Sequence, residues 1–291
     1  MPKVSLYIPC FNAEKTIQEC LENVMRQTFP IDEILIIDDG CQDKTADIVS
    51  HYPVKLIRHP KNKGLAVSRN TAFRQVRNDF VAALDADCLP HSDWLKELML
   101  CLEDETVAGS GGTLTERYSV DVADKWRAMH MSQTWGREIV NNPPFLYGSN
   151  SLFRKKALEK IGFYNEKYRS NREDVDLSSR IYDYGLNLVY NPKARVEHIR
   201  KDTVKSVLSA YRSWFYYTHM NTKYMDRVSR RFAVNLGRLA EYPEISEVFL
   251  REDAREGNQD LLFLDLLLVF YCTWLDLKQL FRILLLSEAG I

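Results

Sequence analysis

Three acidic groupings stand out by residue type and position. Asp85-Ala86-Asp87 closes the apolar run Phe80–Leu84, and two carboxylates at one strand end can hold a hard divalent ion against a diphosphate. Taken alone, Asp-x-Asp is more often a solvated turn. Asp38-Asp39-Gly40 follows the run Glu33–Ile37, where a carboxylate can accept from a base N–H or a ribose hydroxyl, although Asp-Gly after a strand is also an ordinary turn. Glu173-Asp174 opens a stretch in which Val175, Leu177, Ile181 and Tyr184 share a helical face; the acids can act as a base or merely complement the helix dipole.

Other groups fall at matching places. Pro9-Cys10-Phe11-Asn12-Ala13-Glu14 offers an aromatic face, an amide that can cap a helix, and an acid. Arg69, in Gly64-Leu65-Ala66-Val67-Ser68-Arg69-Asn70, follows a basic loop and can reach a phosphate, a base edge or a surface acid. His198 ends the strand-like piece Arg195-Val196-Glu197, where a structural histidine is the commoner role.

The elements needed to hold these groups are legible as a rhythm. Candidate strands at Val4–Ile8, Glu33–Ile37, Val54–Ile57 and Phe80–Leu84 alternate with helical windows at Glu14–Arg26, Thr45–Val49 and Leu65–Val76, the βαβ order of a parallel sheet. Such sheets bind ligands beyond their strand C-termini, where the acidic groupings lie. Cys88-Leu89-Pro90 reads as a turn leading the chain away. From Val107 to Arg200 the pattern is mixed, with strand-like pieces at Val107–Leu114, Tyr147–Phe153 and Leu188–Tyr190 and helices near Val122–Met131, Lys155–Ile161 and Val175–Tyr184. After Asp202 only helical signals remain, with breaks expected at Tyr242–Pro243 and Gly257–Asn258.

Composition narrows the class. The 291 residues are 45% hydrophobic, and 39 basic residues balance 40 acidic ones, so a buried core is expected and nucleic acid is not an expected partner. Six cysteines without CxxC spacing suit a reducing compartment, and no cleavable signal opens the sequence, which together predict a cytoplasmic protein.

In chain order these segments resemble the family 2 glycosyltransferases of the GT-A fold, over roughly residues 3 to 200. Val4 to Glu14 is similar to the family's opening strand and loop, Ile36-Ile37-Asp38-Asp39-Gly40 to its second. Gly64–Asn70 resembles its donor-site helix, and Leu84-Asp85-Ala86-Asp87 its metal motif. Gly148-Ser149-Asn150-Ser151-Leu152-Phe153-Arg154 and Glu173-Asp174-Val175-Asp176-Leu177 resemble its acceptor-side segments. The resemblance implies a Rossmann-like α/β catalytic domain with a mixed central sheet over 1–201 and a C-terminal helical region over 202–291. Pro9, Phe11, Glu14, Asp39 and Arg69 would then hold the nucleotide. Asp87, with Asp85 and a late contact from His198, would hold Mn2+ or Mg2+, Asp85 also being placed to meet the ribose. Asp174 is the implied general base, with Glu173 as the alternative. The implied reaction is inverting transfer of one sugar from a nucleotide-diphosphate sugar, UDP first, to a hydroxyl of a saccharide or lipid-linked acceptor in cell-surface glycan synthesis.

Two departures from the family pattern matter. Cys41 stands where many members carry serine, and the Gln-x-x-Arg-Trp signature of processive synthases is missing, which favours single-sugar transfer. The competing readings are a sugar-nucleotide nucleotidyltransferase, disfavoured because Pro9–Glu14 contains no glycine, and a non-catalytic nucleotide-sugar-binding protein.

The tail carries its own signals. Between Arg200 and Arg231 eight basic residues face two acidic ones, interleaved with Tyr211, Trp214, Phe215, Tyr216, Tyr217 and Tyr224. That segment suits anionic headgroups at the inner face of a membrane, or packing on the catalytic domain. Leu261–Leu286 is apolar, but its uncharged run lies only between Asp265 and Asp276, short of the about 20 residues of a span. A packing, interfacial or homo-oligomer helix is expected there.

Overall fold

The computed structural model describes residues 2–168, 171–218 and 228–288, with side chains of 215–238, 240 and 282–288 outside the description. Contacts divide the chain into two units: 1–117 with 132–200, and 118–131 with 201–291.

In the first unit, strands β1 (Val4–Cys10), β2 (Glu33–Asp38), β3 (Lys55–Arg58) and β4 (Phe80–Leu84) are separated by helices α1 (Ile17–Val24), α2 (Thr45–Val49) and α3 (Leu65–Gln75). These strands are parallel in the order β3-β2-β1-β4. β1 is the switch point: the chain adds strands to one side of it, then returns to the other, opening a crevice beyond the ends of β1 and β4. β1 is buried along its whole length, as expected of a strand covered on both faces.

The sheet continues with β5 (Cys88–Pro90), helix α4 (Trp94–Leu100), and β6 (Val107–Glu116). After the excursion of α5 (Val122–His130) into the second unit come β7 (Val140–Asn141), β8 (Asn150–Arg154), helices α6 (Lys155–Ile161) and α7 (Glu173–Asp183), and β9 (Asn187–His198). The full order is β3-β2-β1-β4-β8-β6-β9-β5, with β7 beside β9. β8 runs antiparallel to β4 and β6, while β6 and β9 are parallel, so the sheet is mixed. One core cluster, including Tyr7, Ile37, Phe73, Phe153 and Leu177, draws together β1, β2, α3, β8 and α7.

Several elements differ from expectation. Cys88–Pro90 is a strand, not a turn: it pairs antiparallel with β9, Cys88 opposite His198. A three-residue strand ending in proline has no local signature, and only this long-range pairing makes it one. α4 and β7 were not expected, and Tyr147 to Ser149 precede β8 as loop. β9 is twelve residues long where only Leu188–Tyr190 and a piece near Val196 looked extended, because register shifts along β6 accommodate the interior Asn191-Pro192.

The second unit contains α5 with α8 (Val204–Thr218), α9 (Val228–Glu256) and α10 (Leu262–Glu288). Its core gathers Trp126, Val207, Tyr242, Leu264, Leu268 and Cys272, with Tyr211 and Trp214 packed against it. The side chains of Phe215, Tyr216, Tyr217 and Tyr224 lie outside the described residues. The break expected at Tyr242–Pro243 does not occur, and Pro243 sits inside α9. Tyr242 donates to Asp276 (2.5 Å) and Ser246 to the Asp265 carbonyl (2.9 Å), anchoring the helix to α10 on both sides of the proline against its cost of about 3 kcal/mol. Among the described residues no helix is long and apolar enough to cross a membrane.

Candidate active site

Beyond β1 and β2 lies a cavity of about 400 Å³ lined by Pro9, Cys10, Phe11, Asp39, Asn62, Gly64, Leu65 and Ser68. Asp39 builds its wall. Oδ1 accepts the Lys63 N–H (2.9 Å) and lies 2.7 Å from His59 Nδ1, while Oδ2 accepts the Gly64 N–H (2.8 Å). One buried carboxylate thereby pins the loop that leads into α3. Gly40 makes that packing possible: its φ is +83°, and a Cβ there would lie 2.7 Å from the Lys61 backbone. Phe11 stays 52% exposed, a free ring face at the cavity mouth.

Beyond β4, the two carboxylates of Asp85-Ala86-Asp87 are each drawn to their own cation. Asp85 Oδ1 accepts from Arg69 Nη2 (3.3 Å), and Asp87 Oδ2 lies 3.2 Å from His198 Nε2. The other ring nitrogen of His198 lies 2.7 Å from Glu116 Oε2. The sheet sets this up, since β9 brings His198 opposite both Cys88 of β5 and Glu116 of β6. Burial would lower the His198 pKa, but hydrogen bonds to Asp87 and Glu116 outweigh it and raise it to about 9, so the imidazole is charged at neutral pH. Asp87 is correspondingly held below the usual carboxylate range, burial being overcome by His198 and Arg200. Asp85 moves the other way: burial raises it, Arg69 opposes, and repulsion from Asp87 adds to the rise.

The third grouping comes from α7. Arg172, in a left-handed conformation (φ +68°), turns the chain so that Glu173 and Asp174 open the helix. Glu173 Oε1 meets Arg69 Nη1 at 3.3 Å, so one guanidinium bridges Asp85 and Glu173. Arg69 is 2% exposed and stacks on Tyr164 at 5.4 Å. Gly148 provides its seat, because a Cβ at 148 would fall 1.6 Å from Arg69 Nη1. Burial pushes Glu173 up to about 7, Arg69 opposing and Asp174 adding. Asp174 is only half-buried; its Oδ2 accepts the Gly148 N–H (3.2 Å) and its Oδ1 the Val175 N–H (2.8 Å), which fix the carboxylate in direction.

The structure therefore brings Asp85, Asp87, His198, Arg69, Glu173 and Asp174 into one cluster, and puts Pro9, Phe11 and Asp39 together on the cavity. Arg69 is paired with Asp85 and Glu173, and Glu14 is exposed, its Oε2 accepting the Lys44 N–H (3.1 Å) ahead of α2. Asn12 does not cap α1; its side-chain oxygen accepts the Gln42 N–H (2.9 Å). Glu116, Asn62, Ser68 and Tyr164 carry no local signal in the sequence, since their roles arise from pairings across the sheet or from the folded loop.

The donor set suits a hard divalent ion. Asp85 and Asp87 are about one-third exposed side chains in mutual repulsion, and Glu116 Oε1 is buried without a partner, so the cluster carries uncompensated negative charge. His198 lies between Asp87 and Glu116, within reach of both carboxylates. A separate grouping, His130, Asp253 and Asp265, sits in the helical unit with ligand atoms all within 4.8 Å of one another.

Known proteins share this architecture. The model of glycosyl transferase family 2 matches residues 5–162, over half of the chain. Glycosyltransferase AglE of Haloferax volcanii is 26% identical over a 301-residue alignment that covers 94% of this chain and 92% of AglE. The probable glycosyltransferase YdaM of Bacillus subtilis is 28% identical over 67% of this chain and half of its own length. Among solved structures, the mannosyltransferase PcManGT from Pyrobaculum calidifontis, in complex with GDP-Man and Mn2+, superposes with a TM-score of 0.56 at 18% identity, covering 100% of this chain and 76% of that one. TarS of S. aureus, in complex with UDP-GlcNAc, gives 0.55 at 18% identity over 72% and 64%. By these matches and its mixed GT-A sheet, the chain belongs to glycosyl transferase family 2 and is a glycosyltransferase.

Proposed function

We propose that the chain transfers a single sugar, with inversion, from a nucleotide-diphosphate sugar to a hydroxyl of a saccharide or lipid-linked acceptor. The observation that carries this reading is the meeting of two acid pairs, Asp85/Asp87 and Glu173/Asp174, through one buried guanidinium beside the crevice of the switch point. The cavity formed by Pro9, Phe11 and Asp39 suits a nucleoside, with the exposed Phe11 ring available to a base. UDP is the first choice of nucleotide. PcManGT was solved with GDP-Man and TarS with UDP-GlcNAc, so relatives of this fold accept different bases.

Asp87 and Asp85 would hold Mn2+ or Mg2+, with His198 approaching the diphosphate or the ion once the site is loaded. The bound ion supplies Lewis-acid neutralisation of the charge that grows on the departing diphosphate. Asp174 takes the proton of the acceptor hydroxyl as its oxygen attacks the anomeric carbon on the face opposite the leaving group, which inverts the configuration. Two backbone N–H donors hold that carboxylate in direction before substrate arrives. Glu173, buried and engaged by Arg69, suits positioning better than proton transfer. A catalytic region over 1–201, a helical region over 202–291 and a place at the inner face of a membrane in cell-surface glycan synthesis complete the reading.

Thermal-shift measurements with UDP-, GDP- and dTDP-sugars, with and without Mn2+, followed by turnover of the stabilising donor, test it. Stabilisation by one donor class that needs the cation is expected, with release of the nucleoside diphosphate. Binding without turnover on any acceptor would instead favour a nucleotide-sugar-binding protein.

A further inference from the structure

α10 is amphipathic in the wrong sense for a helix facing water. Its acidic side chains are turned inward: Asp265 accepts from Trp126 Nε1 (2.7 Å) and Asp276 from Tyr242 (2.5 Å), both at 0% exposure. Four of its aromatic side chains are turned outward, while Tyr271 packs on the core. Phe263, Phe270, Trp274 and Phe281 are 65–72% exposed, and Leu266 and Leu277 fill the steps between them. The spacing of three or four residues puts all six on one stripe, about 27 Å long at the helical rise. With ordinary areas for such side chains the stripe shows on the order of 700 Å² of apolar surface, more than the largest patch of a typical monomer.

We propose that this outward face of α10 lies in the headgroup region of an anionic lipid bilayer, holding the enzyme on the membrane surface without spanning it. Between Phe263 and Phe281 the one exposed charge on the face is a cation, Lys278, because both acids are buried. The same unit includes the segment 201–231, which in sequence has seven basic residues against two acidic. Apolar and aromatic side chains with an exposed cation among them and the helix's two central acids turned inward complement anionic headgroups over acyl chains. This anchor rests on the membrane location proposed above and gives it a surface, while vesicle binding and donor turnover are read separately.

The test uses the full chain, with flotation on phosphatidylcholine vesicles and on vesicles containing phosphatidylglycerol at low and high salt. Binding to the anionic vesicles is expected, weakening as salt rises. Phe270→Glu and Trp274→Glu should each lower the partition coefficient by about tenfold or more while donor binding and helical circular dichroism are retained. A conservative variant reports the position directly: brominated lipids should quench the wild-type fluorescence, and Trp274→Phe should bind equally well but lose most of that quenching. This second readout decides if a glutamate variant misfolds. No binding to either vesicle at low salt, or binding unchanged by both glutamate variants with quenching kept in Trp274→Phe, would overturn the proposal. So would a dimer by light scattering that Phe270→Glu dissociates, together with absent vesicle binding, since a second copy would then cover the stripe.

Discussion

Gly148→Ala is a one-carbon perturbation aimed at the centre of the site. The backbone at 148 is not among the positive-φ glycines, so alanine is conformationally acceptable there and the effect must come from contact. The new Cβ would lie 1.6 Å from Nη1 and 2.4 Å from the Cζ of Arg69. Restoring even a tight contact needs a shift of about 1.4 Å or more, since cores are packed too densely to absorb it elsewhere. Arg69 is 2% exposed and meets both Asp85 and Glu173 at 3.3 Å, so a shift of that size stretches or breaks at least one of the pairs. Overpacking of this kind costs about 1–3 kcal/mol, and misplacing both acids lowers kcat by about a hundredfold. Urea denaturation and initial-rate kinetics measure the two effects. A double-mutant cycle isolates the cause: in an Arg69→Ala background the stability penalty of Gly148→Ala should fall to less than half, because the colliding group is gone. Equal penalties in both backgrounds, or a Gly148→Ala enzyme with wild-type melting and kcat, would refute the reasoning.

Three further outcomes follow from the same geometry. Asp87→Ala should weaken Mn2+-dependent UDP binding by calorimetry about tenfold or more, and by more than Asp85→Ala does, whereas equal UDP affinity in Mn2+ and in excess chelator would end the metal-bridge reading. Asp174→Asn should keep fold and donor affinity while turnover drops about a hundredfold or more. Glu173→Gln should be milder, and the reverse order would move the base to Glu173. Because burial raises Glu173 to about 7 in the folded protein, its ionisation costs stability that is absent below the unfolded pKa near 4.5 and complete above 7. Wild type should therefore lose about 3 kcal/mol relative to Glu173→Gln between pH 4.5 and 8, and a difference that stays flat with pH would remove the buried-carboxylate argument.

Much of the first unit was legible because its signals are local. β4, α2 and α6 fall at the expected residues, and β1 to β3 within two, since apolar strands bounded by turns declare themselves within a few positions. The acidic groupings were legible for a related reason: strand C-termini in a parallel sheet are where such groups collect. Features that depend on pairing at a distance were not. Cys88–Pro90 becomes a strand only because β9 returns beside it, and Glu116 joins His198 only through the register of β6 on β9. Pro243 misled because helix propensity was outweighed by the anchoring of Tyr242 and Ser246. α5 looked like part of an α/β half, and nothing within Val122–Met131 reveals that Trp126 joins the core of α8 to α10.

Arg69 joins two acids from distant parts of the chain. A guanidinium after a basic loop reads as a group for meeting phosphate; here it is buried against Asp85 and Glu173, with Nε lacking a hydrogen-bond partner and Glu173 Oε2 likewise unpartnered. Each such atom costs about 1–3 kcal/mol, and replacing the trio by apolar residues would relieve that cost, as buried ion pairs are often no more stable than well-packed hydrophobic substitutes. The arrangement is thus poor as a device for stability. Its effect is positional: Asp85 hangs from β4 and Glu173 from α7, elements with no sequence neighbour in common, and one planar cation sets the distance between them. Gly148 then ties the same cation to the proposed base, since its missing side chain admits Arg69 while its N–H holds Asp174. On the proposed reading, donor-side and acceptor-side acids are in this way set by a single contact, so a change at residue 148 or 69 should alter kcat far more than the affinity for the free nucleotide, proposed to sit in the cavity lined by Pro9, Phe11 and Asp39.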